Sequence, residues 1–105
     1  MATATLNGAA IGDEAAFHAA CQAEFGFPSG YGATIDAWID CLSYLRDEDN
    51  MTRFRLEANE VLEIVISDAR AMPAELLEEI AFCVGGINER YDDYGEKPAL
   101  KLTLR

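Results

Sequence analysis

The stretch Val61-Leu62-Glu63-Ile64-Val65-Ile66, followed by Ser67-Asp68, decides the fold reading. It is short, almost wholly apolar and rich in β-branched residues. Such a run, bounded by turn residues, reads as a strand buried on both faces, as in a parallel sheet. Downstream, Pro73 stands at a good first-turn position for a helix. Leu76, Leu77, Ile80, Ala81 and Val84 trace one apolar face of that helix. It is expected to run to about Tyr91, with Gly85-Gly86 as a place for it to loosen or kink. Gly95 to Pro98 reads as a turn, and Ala99 to Leu104 alternates as a last strand.

Upstream, Thr52 to Leu56 reads as a short strand and Asn59-Glu60 as a turn. The chain opens with a strand over Ala2 to Leu6, ended by the turn signal Asn7-Gly8. Asp13 is placed as the N-cap of a first helix carrying Phe17, Ala20, Cys21 and Phe25 at helical spacing. Gly26 to Gly32, with three glycines and a proline, is a turn-rich loop. A second helix starts near Ala33-Thr34, with Thr34 as N-cap, and runs to about Arg46, where the acidic run Asp47 to Asn50 closes it. The order β-α-α-(β)-β-α-β puts helices between strands. That requires crossovers, hence a mainly parallel sheet covered by helices and an α/β fold class.

The 105 residues amount to one domain, residues 1–105. Half are hydrophobic, so the chain is no disordered acidic tail. No apolar run approaches the about 18 residues of a membrane span, and Met1 to Ala10 lack the basic-then-apolar pattern of a signal peptide. Eight Lys+Arg against 19 Asp+Glu give a net charge of −11. Nucleic acids and anionic membranes are poor partners for such a chain, since both are bound through Lys and Arg. The charge serves solubility, and it also fits a basic protein partner. Cys21, Cys41 and Cys83 are odd in number and scattered, which implies reduced, mostly buried thiols in the cytoplasm rather than a disulfide framework.

The second helix has two faces. At about 100° per residue, Ile35, Trp38, Ile39, Leu42 and Leu45 form a core face. Asp36, Asp40, Ser43, Tyr44 and Asp47 form a separate stripe of acids and hydroxyls. Asp36 and Asp40 stand one turn apart, a like-charge spacing that weakens a helix slightly. The stripe reads either as a solvated face or as a preformed anionic patch that mimics phosphates in a basic site. Tyr31 in the adjoining loop would extend such a patch.

Other constellations are weaker. His18 and Cys21 share a helix face but lack a second ligand pair or an orienting group, so Cys21 is assigned to the core and His18 to the surface. The Asp36–Asp40 pair lies opposite the apolar face and lacks the burial that acid–base catalysis requires. Asp47 to Asn50 lacks the calcium-loop pattern, and the Gly26–Gly32 loop lacks the Lys-Ser/Thr ending of a P-loop. No enzyme activity, metal or cofactor is expected.

Pro28-Ser29-Gly30-Tyr31-Gly32-Ala33-Thr34-Ile35-Asp36-Ala37-Trp38-Ile39-Asp40-Cys41-Leu42 resembles the signature of the barstar family, inhibitors of barnase-type ribonucleases. The match is specific over roughly residues 16 to 46. The resemblance implies a small three-stranded parallel sheet packed with helices. It also implies that the loop and second helix enter a nuclease active site. On that basis Asp40 would be the main phosphate mimic and Asp36 its acidic neighbour. Tyr31 and Gly32 would lie against the guanine-binding side; the stripe itself adds Tyr44 and Asp47 as flanking partner-binding residues. The sequence departs from the family's type member at Gly30, where a tyrosine is usual, and at Ile39, where the aromatic has moved to Trp38. That shift turns the ring toward the core. The family also contributes a glutamate from the last helix, for which Glu75, Glu78, Glu79 and Glu89 are candidates. The expected function is a cytoplasmic, one-to-one inhibitor of a basic ribonuclease or related nuclease toxin. The alternative is an acidic adaptor of the same fold with a non-nuclease basic partner.

Overall fold

Strand β2 (Leu62–Ser67) is the centre of a three-stranded parallel sheet, flanked by β1 (Ala2–Asn7) and β3 (Leu100–Leu104). The structure is a computed structural model and describes residues 2–105. Three helices complete the fold: α1 (Glu14–Phe25), α2 (Ile35–Leu42) and α3 (Ala74–Asp93). Short 3-10 turns follow β1 at Gly8–Ala10 and β2 at Ala69–Ala71. The chain is therefore α/β with a small parallel sheet, as its pattern indicated.

The sheet departs from the expectation of burial on both faces. Ala4, Leu6, Leu62, Ile64, Ile66 and Leu100 face a single core, which they share with residues of α1, α2 and α3. The register puts Thr3 beside Glu63 and Lys101, and Thr5 beside Val65 and Thr103, on the opposite face. That second face is polar. Thr103 Oγ1 donates to Glu63 Oε2 at 2.6 Å across it, and Val65 is buried without joining the core cluster. All three helices thus serve one face, giving two layers rather than three. An apolar residue fully buried there stabilises the fold by about 1.5–3 kcal/mol.

The turns follow their residues. Gly8 is required by close approach, because a Cβ there would sit 2.6 Å from the Ser67 carbonyl oxygen. Asp13 caps α1 by accepting from Ala16 N at 2.8 Å, and Thr34 caps α2 by accepting from Ala37 N at 3.1 Å. Pro73 precedes the first residue of α3. That helix continues through Gly85-Gly86 to Asp93 without a break, so no kink forms there. Its buried side is Leu76, Ile80, Cys83, Val84, Ile87 and Tyr91. Ala81, expected on that side, is exposed.

Helix α2 ends at Leu42, four residues before the expected Arg46. Local polar groups capture the backbone that would have continued it. Ser43 Oγ donates to the Ile39 carbonyl at 2.6 Å, a bond that competes with the helix ladder. The buried Tyr91 hydroxyl accepts from Leu45 N at 3.0 Å and donates to the Leu42 carbonyl at 3.3 Å. Arg46 turns away to bond the carbonyls of Lys97, Glu60 and Pro98, while its guanidinium lies 5.1 Å from the Tyr91 ring centre. The expected strand over Thr52 to Leu56 is not formed. Phe54 and Leu56 drop into the core instead. Asn50 bonds the carbonyls of Leu45 and Phe54 and receives Thr52 N and Oγ1, which fixes the segment as a loop.

Candidate functional site

The two faces of α2 separate as its periodicity required. Trp38 and Leu42 are fully buried, Cys41 is nearly so, and Ile35 and Ile39 are half-buried. Trp38 packs on Phe17 of α1 with ring centres 5.7 Å apart. The Trp38 ring is therefore core, which agrees with its shifted place in the sequence. Asp36, Asp40, Tyr44 and Asp47 are all exposed along the outer side. Although α2 stops early, the turns after it keep Tyr44 and Asp47 on the same side of the molecule as a cleft that the end of α3 helps to form. That cleft, of about 490 Å³, is lined by Ser43, Tyr44, Asp47, Arg90, Tyr91, Asp93, Tyr94 and Glu96.

Arg90 is the feature that sequence reading missed. Its guanidinium lies 3.5 Å from Asp40 Oδ1 and donates to Ser43 Oγ at 3.1 Å. Both partners of the ion pair are more than half exposed, so the pair contributes little to folding. Its consequence is local: the central acid of the stripe already faces a cation. No local pattern could have found it, since Arg90 lies 50 residues beyond Asp40 in sequence and only the packing of α3 beside α2 brings the two together. Of the glutamates considered on α3, Glu79 acts together with Asp36 of α2 on the buried thiol of Cys83. Burial raises the Cys83 pKa first, and the carboxylates of Glu79 and Asp36 raise it further.

The loop before α2 is built around Tyr31, which the structure places inside the protein rather than at its surface. Tyr31 is 4% exposed. Its ring lies 4.5 Å from Phe27, centre to centre, and its hydroxyl shares a 2.6 Å hydrogen bond with His18 Nδ1. Burial pushes the Tyr31 pKa well up. Beside Tyr31 the loop shows Pro28, Ser29, Gly30, Gly32 and Ala33 outward. Gly32, with φ of +83°, takes the left-handed turn that glycine suits, and Ala33 follows it at +52°.

His18, assigned to the surface by sequence, is buried at 2% exposure. The Tyr31 hydroxyl draws it inward by giving its ring a polar partner. Burial lowers the His18 pKa below its ordinary 6.5, with Glu14 opposing weakly. The unfolded chain therefore protonates His18 before the folded one does. The stabilisation is complete above about pH 6.5 and is lost as pH falls through the lowered folded value. Urea midpoints should fall between pH 7.5 and 5.5 in the wild type, and fall less in His18→Gln. Equal pH slopes in the two proteins would contradict this.

The three thiols are free and buried, and burial lifts the Cys21 pKa to about 12. None is a reactive thiolate at neutral pH. Among the described residues there is no cluster of His, Cys, Asp and Glu that could hold a metal ion, and no helix is long and apolar enough to cross a membrane.

Fold and face define a small α/β protein that presents fixed carboxylates along one helix. A family model described as Barstar (barnase inhibitor) matches residues 1–103, essentially the whole chain, and the chain belongs to the barstar family. Members of that family are inhibitors of barnase-type ribonucleases, not enzymes. No curated protein matches the chain.

Proposed function

We propose that this protein inhibits a basic ribonuclease, or a related nuclease toxin, by seating the exposed side of α2 and its preceding loop in the enzyme's active site. The observation that carries this reading is the stripe itself. Asp36 and Asp40 stand one turn apart, both exposed, on a helix whose other side is locked into the core by Trp38 and Leu42. A nuclease active site binds phosphates through cations, so fixed carboxylates enter it as substrate mimics. Asp40 is the main phosphate mimic and Asp36 its neighbour. Gly32 offers backbone at the loop edge, and Tyr44 and Asp47 flank the far end. Tyr31 acts from beneath, holding the loop that positions Gly32. No catalytic step by this chain is involved.

Titrating barnase-catalysed RNA cleavage tests the reading. Inhibition should be complete near one inhibitor per enzyme and should weaken with added salt, because exposed charges are screened within about 8 Å at physiological ionic strength. Full cleavage at several-fold excess of the protein would remove barnase from its targets.

Arg90 supplies a second test of the same face. It competes with the nuclease's cations for Asp40, so Arg90→Gln should tighten the barnase complex by roughly three- to tenfold at low salt, mainly through the association rate. The gain should vanish in an Asp40→Asn background. An equal gain in both backgrounds would show that Arg90 does not act through Asp40.

A further inference from the structure

The sheet has two free edges, and each is capped by a side chain of a neighbouring helix. On the β3 side, Asn88 of α3 accepts from Ala99 N and Leu100 N and donates to the Leu100 carbonyl, all at 3.0 Å. Its amide takes the place that the backbone of a further strand would fill. On the β1 side, Glu24 of α1 accepts from Thr5 N through Oε2 at 2.7 Å. Thr5 N therefore points away from β2, and Thr3, two residues along the strand, presents its N–H to the same side.

Glu24 is itself held in place. The Arg53 guanidinium lies 3.4 Å from Oε1, donates from Nε to the Glu24 carbonyl at 2.6 Å, and covers the Phe54 ring at 4.2 Å. That leaves Oε2 for the strand. Edge strands are commonly guarded by a lysine, a proline or a bulge, because their unpaired backbone groups template another strand. Strand β1 has none of these. Ala2-Thr3-Ala4-Thr5-Leu6-Asn7 carries no charge and no proline, and it pairs with β2 in unbroken register. Thr3 and Thr5 are exposed. The guard on this edge is Glu24.

We propose that Glu24, oriented by Arg53, is an edge lock: it closes β1 to a further strand, and the strand it excludes is β1 of a second copy of this chain. Two properties of the edge select a second copy. The strand is uncharged, so two β1 edges meet without local repulsion. An antiparallel pair about a two-fold axis also lets each edge offer the other the same groups. The net charge of −11 opposes the approach of two copies at long range. Salt screens that opposition, whereas an occupied N–H on the edge obstructs pairing at any salt. The proposal does not depend on the inhibitor reading of α2.

The test is sedimentation in about 1 M sodium chloride, where charges are screened within about 3 Å, of wild type, Glu24→Ala, Glu24→Gln and Glu24→Ala/Thr3→Pro. Wild type should be monomeric. Glu24→Ala should self-associate about tenfold or more tightly, the scale of one hydrogen bond to a charged group. Glu24→Gln should behave as wild type, because its amide oxygen still accepts from Thr5 N, and it controls for the lost charge. Thr3→Pro removes an outward N–H, so the double variant should return to monomer while remaining folded. Should Glu24→Ala not fold, Arg53→Gln takes its place, with a smaller rise expected because Glu24 is loosened rather than removed. A folded variant that associates no better than wild type would overturn the lock. Association that survives Thr3→Pro would show a contact other than strand addition and overturn the choice of edge. A wild type already dimeric, and made monomeric by Thr3→Pro, would overturn the lock as well.

Discussion

Asp40→Ala is expected to weaken the barnase complex by about 2–5 kcal/mol, the general range for truncating one member of a buried interfacial charge pair, a range to which the barnase–barstar pair is itself a contributor. The size follows from asymmetry between the free and bound states. In the free chain Asp40 is exposed, and its ion-pair partner among the described residues is Arg90, itself about half exposed. Its removal therefore hardly changes folding. In the complex the nuclease's cations would lose their counter-charge while shielded from water, and most of the loss should appear as faster dissociation. Calorimetric or surface-based binding, with unfolding curves as control, separates the two effects. A variant with unchanged stability and unchanged affinity would take Asp40 out of the site.

Trp38→Ala should have the largest effect on stability, about 3–5 kcal/mol. Trp38 is fully buried and packs against Phe17, joining α2 to α1. Helix α2 has only eight residues, too few to be stable without tertiary packing. Removing its largest core side chain leaves a cavity that the neighbours fill only in part. Against a typical total of about 5–15 kcal/mol, the variant keeps little margin. Urea denaturation should show a much lower midpoint with little change in slope. Because the same helix presents Asp36 and Asp40, binding at fixed protein concentration should fall as folding falls, and Trp38→Phe should restore much of both. A midpoint within experimental error of wild type would contradict the placement of Trp38 in the core.

The three strands of the sheet and the two faces of α2 were legible because each depends on local pattern. Val61 to Ile66 could hardly be anything but a central strand, and the caps Asp13 and Thr34 mark their helices through their own side chains. The division of α2 into Trp38/Leu42 and Asp36/Asp40 faces followed from helical geometry alone. What failed depended on partners distant in sequence. The apolar run of β2 suggested two buried faces, yet Thr3, Thr5, Lys101 and Thr103 lie beside it in the sheet and make one face polar. The early end of α2 needed Tyr91, 46 residues beyond Leu45. His18 and Tyr31 changed places with expectation together, because each gives the other the hydrogen bond that burial demands. Arg90 belongs to the same class. Its charge was visible, but its position over Asp40 is a product of how α2 and α3 pack.

The central claim is that the exposed side of α2 is the surface that meets the nuclease. The most direct measurement is an amide chemical-shift map of this protein titrated with catalytically inactive barnase. The account predicts saturation at one-to-one, with the largest changes over Gly32, Asp36, Asp40, Tyr44 and Asp47, and little change on the polar sheet face around Thr3, Glu63 and Lys101. A footprint centred on that sheet face, with Asp36 and Asp40 unmoved, would contradict it.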